Sequence, residues 1–408
     1  MKILIFSQHF HPENFRINEI AKTLVSKFSY ELVVVTGKPN YPSGKIFPGY
    51  EKAGLEGNYL GFPVFRVPIW LRRSGRNVDL MLNYLSYIFS ATVYSCFRLW
   101  KYSPDVVFCY ATSPLLQAIP GIIYSKIFKK KFILNVQDLW PESLSATGRV
   151  NNKIVLKLVG WLVSWIYRKS DLILVQSRDF SKKIGLFTSE NKIKYWPNSV
   201  DNIFISPITY EEVVLPLLSR RNIFTVMFAG NIGSAQSIKN IFNAACNLRR
   251  FAHIQLVILG DGSERQWLED AICSEALTNI HLLGQFPMIK MPSLLRKADV
   301  LLATLSDRDI FNLTIPNKIQ AYMAVGKPIL CAINGATADL IIDSASGVVV
   351  SADDAEALSD AILRMYEMPR RDLEIMGKNG LNYFRHHFSH DDLINQLDKY
   401  IKILVEEL

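Results

Sequence analysis

Short apolar runs rich in β-branched residues recur along the first half of the chain, and stretches with apolar residues every three or four positions separate them. The runs lie at residues 2–6, 32–36, 106–109, 132–136 and 172–175. Runs of this length and composition predict buried strands, and the spacing between them predicts crossover helices. The alternation therefore predicts a parallel sheet with helices on its faces.

The same alternation restarts in the second half, at residues 224–228, 255–259, 280–283, 300–303 and 329–331. Between the two series, residues 196–221 are irregular and rich in turn-forming residues, as expected of a domain boundary. A chain of 408 residues is also too long for one ordinary core. The pattern predicts an α/β protein with two doubly wound, Rossmann-like domains at residues 1–205 and 206–385, followed by a helical segment at 386–408.

Two helical segments of the first half are unusually apolar. Residues 78–100 are long enough in principle to span a bilayer, although serines, a threonine and an asparagine interrupt them. They fit a core or interdomain helix, an in-plane helix at a membrane surface, or a true span. Arg72, Arg73 and Arg76 beside them favour surface attachment. Residues 154–167 are apolar around most of the circumference, which fits a packed helix or contact with lipid.

Positive charge is concentrated in the first half of the chain. Residues 1–200 hold 27 Lys and Arg against 12 Asp and Glu, and the remainder holds 19 against 25. The chain has no zinc finger, aromatic-basic RNA motif or lysine-rich arm, so we expect no nucleic-acid partner. An anionic membrane surface or an acceptor with a lipid-linked phosphate fits the charge better.

The cysteines indicate a reducing compartment. The five cysteines stand far apart, none at metal-ligand spacing, and an odd number does not suit a secreted disulfide framework. The apolar start of the chain stops at Gln8 without a small-residue cleavage site, so we expect a first buried strand rather than a signal peptide. These features predict a cytoplasmic protein.

Four strand ends in the second half carry loops suited to an anionic ligand, at residues 229–237, 260–265, 307–318 and 334–337. In open α/β sheets, ligands bind beyond the carboxyl ends of the strands, where helix N-termini present free amides. Each loop alone also fits an ordinary βα connection, which needs glycine and caps. The set, with Lys318 in a first helical turn, suits a nucleotide diphosphate.

Two loops of the first half are rich in ionisable groups. Residues 9–16 include histidines and Glu13, and residues 137–143 include Asp138 and Glu142. Such carboxylates can orient sugar hydroxyls or assist proton transfer, whereas an ion pair or a helix cap is the alternative. No zincin, Walker, nucleophile-elbow or kinase motif occurs, and we expect no two-carboxylate metal site. We therefore expect no cofactor and metal-independent chemistry.

Three motifs resemble the GT-B fold glycosyltransferases of the large retaining family 4, and the resemblance runs over nearly the whole chain. They are residues 8–13 (QHFHPE), 136–143 (VQDLWPES) and 316–328 (PNKIQAYMAVGKP). They look most like the colanic-acid and O-antigen subgroup, including its N-acetyl-L-fucosamine transferases. The resemblance implies an acceptor domain, a UDP-sugar domain, a cleft that the two face, and a final helix at 386–408 that crosses back to the first domain.

The resemblance also implies roles for individual residues, with Lys318 as a phosphate partner. The expected donor-binding residues are Asn231, Gly233, Gln236, Gly260, Asp261, Gly262, Gln285, Phe286, Lys318, Gln320, Gly335, Ala336 and Thr337. The expected catalytic residues, which take or orient the acceptor's proton, are Asp138 and Glu13. The expected contacts to the acceptor or a phosphate are His11, Arg16 and Glu142.

The chain departs from the family at several positions. The family's glutamate pair aligns with Leu313 and Ala321, so the ribose contact must pass to Gln320, backbone or water. Gln137 stands where many relatives have a histidine, and it cannot titrate near neutrality.

The common basic pair of the donor domain is also absent. Its positions hold Asn231 and Gln236, which leaves less positive charge for the leaving diphosphate. Arg16, Lys318 or Arg308 are expected to compensate.

The resemblance predicts a glycosyltransferase that moves a hexosyl or N-acetylhexosaminyl group, with N-acetyl-L-fucosamine favoured, from a UDP-sugar to an undecaprenyl-diphosphate-linked acceptor. Such an enzyme of O-antigen, lipopolysaccharide or capsule biosynthesis is expected in the cytoplasm, bound peripherally at the inner face of the inner membrane. A UDP-sugar 2-epimerase and a non-catalytic UDP-sugar-binding subunit stay open as alternatives.

Overall fold

The computed structural model describes residues 1–41, 43–51, 56–72, 77–146, 152–200, 202–205, 215–219 and 222–406. It divides into two compact units, one formed by Met1–Trp196 with Leu393–Leu408 and the other by Pro197–Asp392. Several residues named above lie outside the described residues, namely Arg73, Arg76 and positions 201, 206–214 and 220–221 of the interdomain stretch.

The first unit is built on an eight-stranded sheet. Its strands are β1 (Lys2–Phe6), β2 (Glu31–Gly37), β3 (Glu56–Tyr59), β4 (Phe62–Val67), β5 (Val106–Ala111), β6 (Lys131–Val136), β7 (Leu172–Val175) and β8 (Ile193–Tyr195). The order is β3-β4-β2-β1-β5-β6-β7-β8, and only β3 runs antiparallel to its neighbour. The strand order reverses between β1 and β5, which is the place where open α/β sheets bind ligands.

Helices connect these strands by crossovers. They are α1 (Ile17–Phe28), α2 (Asn77–Arg98), α3 (Ile119–Ile127), α4 (Glu142–Ala146), α5 (Lys153–Lys169) and α6 (Arg178–Gly185). Right-handed connections from β4 onward place α2, α3, α5 and α6 on one face of the sheet and α1 on the other. Of the helices in the described residues, none is both long enough and apolar enough to cross a membrane.

The second unit is built on a six-stranded parallel sheet. Its strands are β9 (Phe224–Ala229), β10 (Ile254–Leu259), β11 (Ile280–Gly284), β12 (Val300–Thr304), β13 (Ile329–Ala332) and β14 (Gly347–Val349), in the order β11-β10-β9-β12-β13-β14. Along β9, Val226 and Phe228 enter one core, and Met227 and Ala229 enter the core on the other face. Because both faces are covered, β9 is apolar at every position except Thr225, which is also buried.

The remaining helices cover this second sheet, except for the last. They are α7 (Ile238–Asn247), α8 (Arg265–Ser274), α9 (Met291–Arg296), α10 (Asp309–Asn312), α11 (Asn317–Ala324), α12 (Ala336–Asp343), α13 (Ala355–Glu367), α14 (Arg370–His387) and α15 (His390–Glu406). Helix α15 packs into the core of the first unit through Leu393, Leu397 and Ile401. The indole Nε1 of Trp196 donates to the carbonyl oxygen of Leu393 at 2.8 Å.

Candidate functional site

Backbone hydrogen bonds join the loops that follow β9, β10 and β11. The N–H of Gly230 donates to the carbonyl oxygen of Leu259 at 2.9 Å, and that of Gly260 donates to the carbonyl oxygen of Gly284 at 2.8 Å. Gly260 has a φ of +140°, and a Cβ there would lie 1.8 Å from the carbonyl oxygen of Gly230. Only glycine fits this position, because both the dihedral angle and the contact exclude a side chain.

Asn231 and Asp261 lie beside these glycines. The carboxylate of Asp261 accepts from the N–H of Gly262 at 2.8 Å. A Cβ on Gly233 would lie 2.6 Å from Nδ2 of Asn231, and one on Gly262 would lie 2.7 Å from its Oδ1. The structure thus brings these four expected donor residues together with Gly260.

The ammonium of Lys318 lies next to the loop after β9. Its Nζ donates to Oε1 of Gln236 at 2.6 Å and lies 3.9 Å from the centroid of the Phe228 ring. A Cβ on Gly230 would be 3.0 Å from the same Nζ. Lys318 as a whole residue is half-buried, but its amine is the buried part. The apolar surroundings of the amine disfavour its charged form and lower its pKa to about 7.

The loop after β12 holds Gln236 from the other side. The N–H of Ser306 donates to the carbonyl oxygen of Ala235 at 3.0 Å, and Oγ1 of Thr304 donates to that of Gln236 at 2.5 Å. Arg308 of the same loop places its guanidinium carbon 6.0 Å from the centroid of the Phe311 ring. The two loops that flank the reversal of strand order are therefore tied together.

The start of α12 closely approaches α10. Gly335 has a φ of +69°, and a Cβ there would lie 2.1 Å from the carbonyl oxygen of Asn312. The hydroxyl of Thr337 donates to the carbonyl oxygen of Thr314 at 2.8 Å, and no side chain caps the helix. Gly335, Ala336 and Thr337 therefore offer backbone amides, rather than side chains, to an anion.

The other expected donor residues lie in different surroundings. The amide of Gln320 is buried and, oriented with its nitrogen toward the first turn of α11, donates to the carbonyl oxygens of Pro316 at 3.0 Å and Asn317 at 3.2 Å. Gln320 is thus engaged within its own helix, which leaves the expected ribose contact without support. Gln285 is exposed after β11, and Phe286 packs partly against the core of the unit.

In the first unit, Glu13 is a buried residue with both carboxylate oxygens engaged. Its Oε2 lies 2.9 Å from Nδ1 of His9, and its Oε1 accepts from the N–H groups of Asn40 at 2.7 Å and Tyr41 at 2.6 Å. The contacts join the loop after β1 to the loop after β2. They suit a positioning residue better than a proton acceptor, for which a free oxygen is needed.

Asp138 differs from Glu13 in its surroundings. It follows β6, and its carboxyl group hydrogen-bonds to Ser113, which also accepts from Nε1 of Trp140 at 3.2 Å. Burial raises the pKa of Asp138 to about 6, and the Ser113 hydrogen bond opposes that shift. A carboxylate with a pKa close to the working pH is suited to accept a proton.

The expected acceptor contacts have separate environments. The ring centroids of His11 and Tyr59 lie 4.5 Å apart. Burial of the His11 ring lowers its pKa, and the positive charge of Arg66 lowers it further. Arg16 directly precedes α1. Glu142 is half-buried in the first turn of α4.

Two residues outside the expected set belong to this region. His9 is 3% exposed and stacks on Phe15 with ring centroids 4.9 Å apart. Ser113 links Asp138 to Trp140. His9 could have been found from the sequence, because it stands four residues before Glu13. Ser113 could not, because it follows β5 whereas Asp138 follows β6, and their contact depends on these two strands being adjacent. In the described residues, no group of three or more His, Cys, Asp or Glu could hold a metal ion.

Residues 223–368 match the family model described as glycosyl transferases group 1. This segment contains the whole second sheet and every strand-end loop described for it. WcaI of Escherichia coli (strain K12), named as a colanic acid biosynthesis glycosyl transferase, is similar over 340 residues at 22% identity. The similarity covers 80% of this chain and 82% of that protein.

Solved structures share the fold across the full length. Sucrose-phosphate synthase from Thermosynechococcus elongatus aligns with a TM-score of 0.77 at 14% identity, covering 100% of both chains. HepE of Anabaena, solved in complex with UDP, aligns with a TM-score of 0.70 at 14% identity, covering 98% of this chain and 100% of that one. The predicted GT-B fold, with two parallel-sheet Rossmann-like units, is confirmed.

Proposed function

We propose that this chain, a glycosyltransferase by its group 1 domain and its relatives, transfers a sugar from a UDP-sugar to a lipid-linked acceptor. We propose N-acetyl-L-fucosamine as the sugar and an undecaprenyl-diphosphate-linked sugar as the acceptor, in O-antigen or capsule biosynthesis. The observation that carries the proposal is the joining of glycine-rich strand-end loops beside Lys318 in the second unit.

The donor site is argued from charge and backbone geometry. Glycines at the ends of β9 and β10 let a diphosphate approach the main chain closely. The amides at the start of α12 and the ammonium of Lys318 supply positive charge, which replaces the missing basic pair. The complex of HepE with UDP, on a similar fold, supports the same nucleotide here.

The reaction breaks the bond between the anomeric carbon and the diphosphate, and the electron pair stays on the leaving oxygen. Lys318 and the α12 amides stabilise that developing charge, so we propose transfer without a metal ion. As the acceptor oxygen bonds to the sugar, Asp138 takes or orients its proton. Glu13 holds the loop after β1 in place through His9 and backbone amides.

The reaction rate should depend on the protonation of Asp138. Because burial raises the pKa of this carboxyl group to about 6, the proton-accepting form is the minority below that pH and dominates above it. At saturating UDP-sugar, we expect kcat/KM for the acceptor to rise about tenfold per pH unit below pH 6 and to level off above it. A pH–rate profile that is flat between pH 5 and 7 would remove Asp138 as the base.

We propose that the protein attaches to the inner face of the inner membrane through the first unit. Helix α2 has a stripe of exposed apolar side chains at spacings of three and four along its whole length: Val78, Met81, Leu85, Phe89, Val93 and Phe97. Phe89 is 72% exposed and Phe97 is 75% exposed. Stripes this long on a soluble surface mark an interaction site.

Helix α5 adds to the same face of the sheet. Ile154, Leu158 and Trp161 are more than half exposed, so the expectation of a packed helix holds for only one side of it. Lysines and arginines lie near the ends of these two helices and of α3 on the same face, namely Arg98, Lys101, Lys126, Lys153 and Lys157. An apolar face flanked by cations fits the headgroup region of an anionic bilayer.

Phe89→Glu should weaken binding to vesicles of phosphatidylglycerol and phosphatidylcholine by about tenfold or more, since burial of a phenylalanine contributes about 1.5–3 kcal/mol. Cosedimentation at low salt measures the partition. Ile375→Glu alters another exposed apolar residue, 45% exposed and in the second unit, and should leave binding unchanged. Equal losses for both variants, or none for either, would contradict attachment through α2.

The function is tested by product analysis. The purified protein is incubated with UDP-sugars, including UDP-N-acetyl-L-fucosamine, and undecaprenyl-diphosphate-linked sugars. The proposal predicts UDP release together with a lipid product heavier by one sugar in mass spectrometry. A C2-epimerised UDP-sugar without lipid product, or UDP-sugar binding without turnover, would overturn it.

A further inference from the structure

The amine of Lys318 is enclosed by groups that carry no negative charge. From β9 it meets the Phe228 ring, and from the following loop it meets the amide oxygen of Gln236. The Tyr322 hydroxyl on α11, one turn after Lys318, donates to the carbonyl oxygen of Ala229 at 3.2 Å. Within the described residues, no carboxylate forms an ion pair with Lys318, and burial is the cause of its lowered pKa.

The charged groups on the neighbouring loops have other partners. The carboxylate of Asp353, after β14, hydrogen-bonds to Ser237 and accepts from the N–H of Asp307 at 2.7 Å. The carboxylate of Asp307, after β12, accepts from Nδ2 of Asn312 at 3.1 Å. The other charged groups of the strand-end loops are Asp261, Glu264, Arg265, Arg308, Asp309 and Asp354. Asp261 accepts from the N–H of Gly262, Arg265 pairs with Glu269, and Asp354 accepts from the N–H of Ala357.

We infer that the donor's diphosphate is the counter-ion that Lys318 lacks, and that binding of UDP or a UDP-sugar transfers one proton from solvent to its amine. The inference rests on the proposed donor site and adds a proton to the binding reaction. The neutral amine and H⁺ combine to the ammonium, which then pairs with the diphosphate. The same proton returns to solvent when UDP leaves.

The direction of this linkage follows from the two environments of the amine. In the free protein the pKa is about 7, so about one amine in ten is charged at pH 8. An adjacent diphosphate favours the charged form and raises the pKa again. The terminal phosphate of UDP, with a pKa of about 6, is already ionised at pH 8 and takes up no proton.

Calorimetric titration with UDP at pH 8, in buffers of different ionisation enthalpy, counts the protons taken up. We expect about 0.9 proton per UDP for the wild type and a Kd that rises about 50-fold between pH 7 and 9. Lys318→Arg keeps the charge at every pH, so its proton uptake should be zero and its Kd constant over this range.

The outcomes separate the inference from the proposed function. UDP binding by the wild type without proton uptake, or with a constant Kd from pH 7 to 9, overturns the inference and leaves the donor site standing. Uptake that persists in Lys318→Arg, or in Lys318→Met titrated at higher UDP concentration, assigns the proton to another group and also overturns it. Absence of UDP binding removes the proposed donor site itself.

Discussion

Replacing Asp138 by asparagine is expected to lower kcat by about 10²–10⁴-fold, the range contributed by a positioned general base, while UDP affinity stays unchanged. Asparagine keeps the size of the side chain and can still hydrogen-bond to Ser113, but it cannot accept the acceptor's proton. Because Asp138 lies in the first unit and the donor loops lie in the second, donor binding provides an independent readout.

Asp179→Asn is the matched control for Asp138→Asn. Asp179 lies in the first turn of α6 in the same unit, where its carboxylate pairs with Lys182 at 2.7 Å on the surface. Asp179→Asn should keep kcat within about twofold, since an exposed ion pair contributes little. A wild-type rate for Asp138→Asn, or a parallel loss of UDP binding and fold, would contradict its role as the base.

Replacing Lys318 by alanine is expected to raise the Kd for UDP by about 10–100-fold at pH 7. A hydrogen bond between charged partners contributes about 1.5–3 kcal/mol, and each 1.4 kcal/mol corresponds to a factor of ten. The large effect follows from the missing basic pair, since Asn231 and Gln236 bring no charge to the diphosphate.

Lys378→Ala is the control for this variant. Lys378 is exposed on α14 of the same unit, so its removal lowers the net charge equally without touching the strand-end loops. Its Kd for UDP should match that of the wild type. Equal affinities for Lys318→Ala and wild type would place the diphosphate away from Lys318.

Much of the fold could be predicted because buried parallel strands are continuous apolar runs. β1 and β7 occur at the predicted residues, and the other eight predicted strands are extended by only one or two residues. The strands that the pattern missed are β3, β4, β8 and β14. β3 and β8 are short strands at the two edges of the sheet, and their side chains are not buried. Their sequences therefore lack the continuous apolar run that identifies a buried strand. β4 contains Pro63 and Arg66, which depart from a strand pattern.

The surface helices show where periodicity stops being informative. Helices α2 and α5 carry apolar residues of their own around most of their circumference. Composition alone therefore does not distinguish the packed face of each helix from its exposed face. The structure buries Tyr87 and Ala91 on α2 and exposes Phe89. The distinction depends on which face packs against α3 and the sheet, and that is a long-range property.

Within the site, local sequence predicted the loops but not the partners of their side chains. Glycine at 260 is recognisable as a turn residue, yet its contact with Gly230 depends on two strands being adjacent. Likewise, nothing near Lys318 in the sequence indicates Phe228 or Gln236, which lie more than 80 residues away. The low pKa of the amine follows from these long-range contacts.

Calorimetric titration of the purified protein with UDP, ADP and GDP at the same salt concentration tests the central claim most directly. The proposed UDP-sugar donor predicts micromolar binding of UDP and no measurable binding of ADP or GDP. Absence of UDP binding, or equal binding of all three nucleotides, would contradict a UDP-sugar donor.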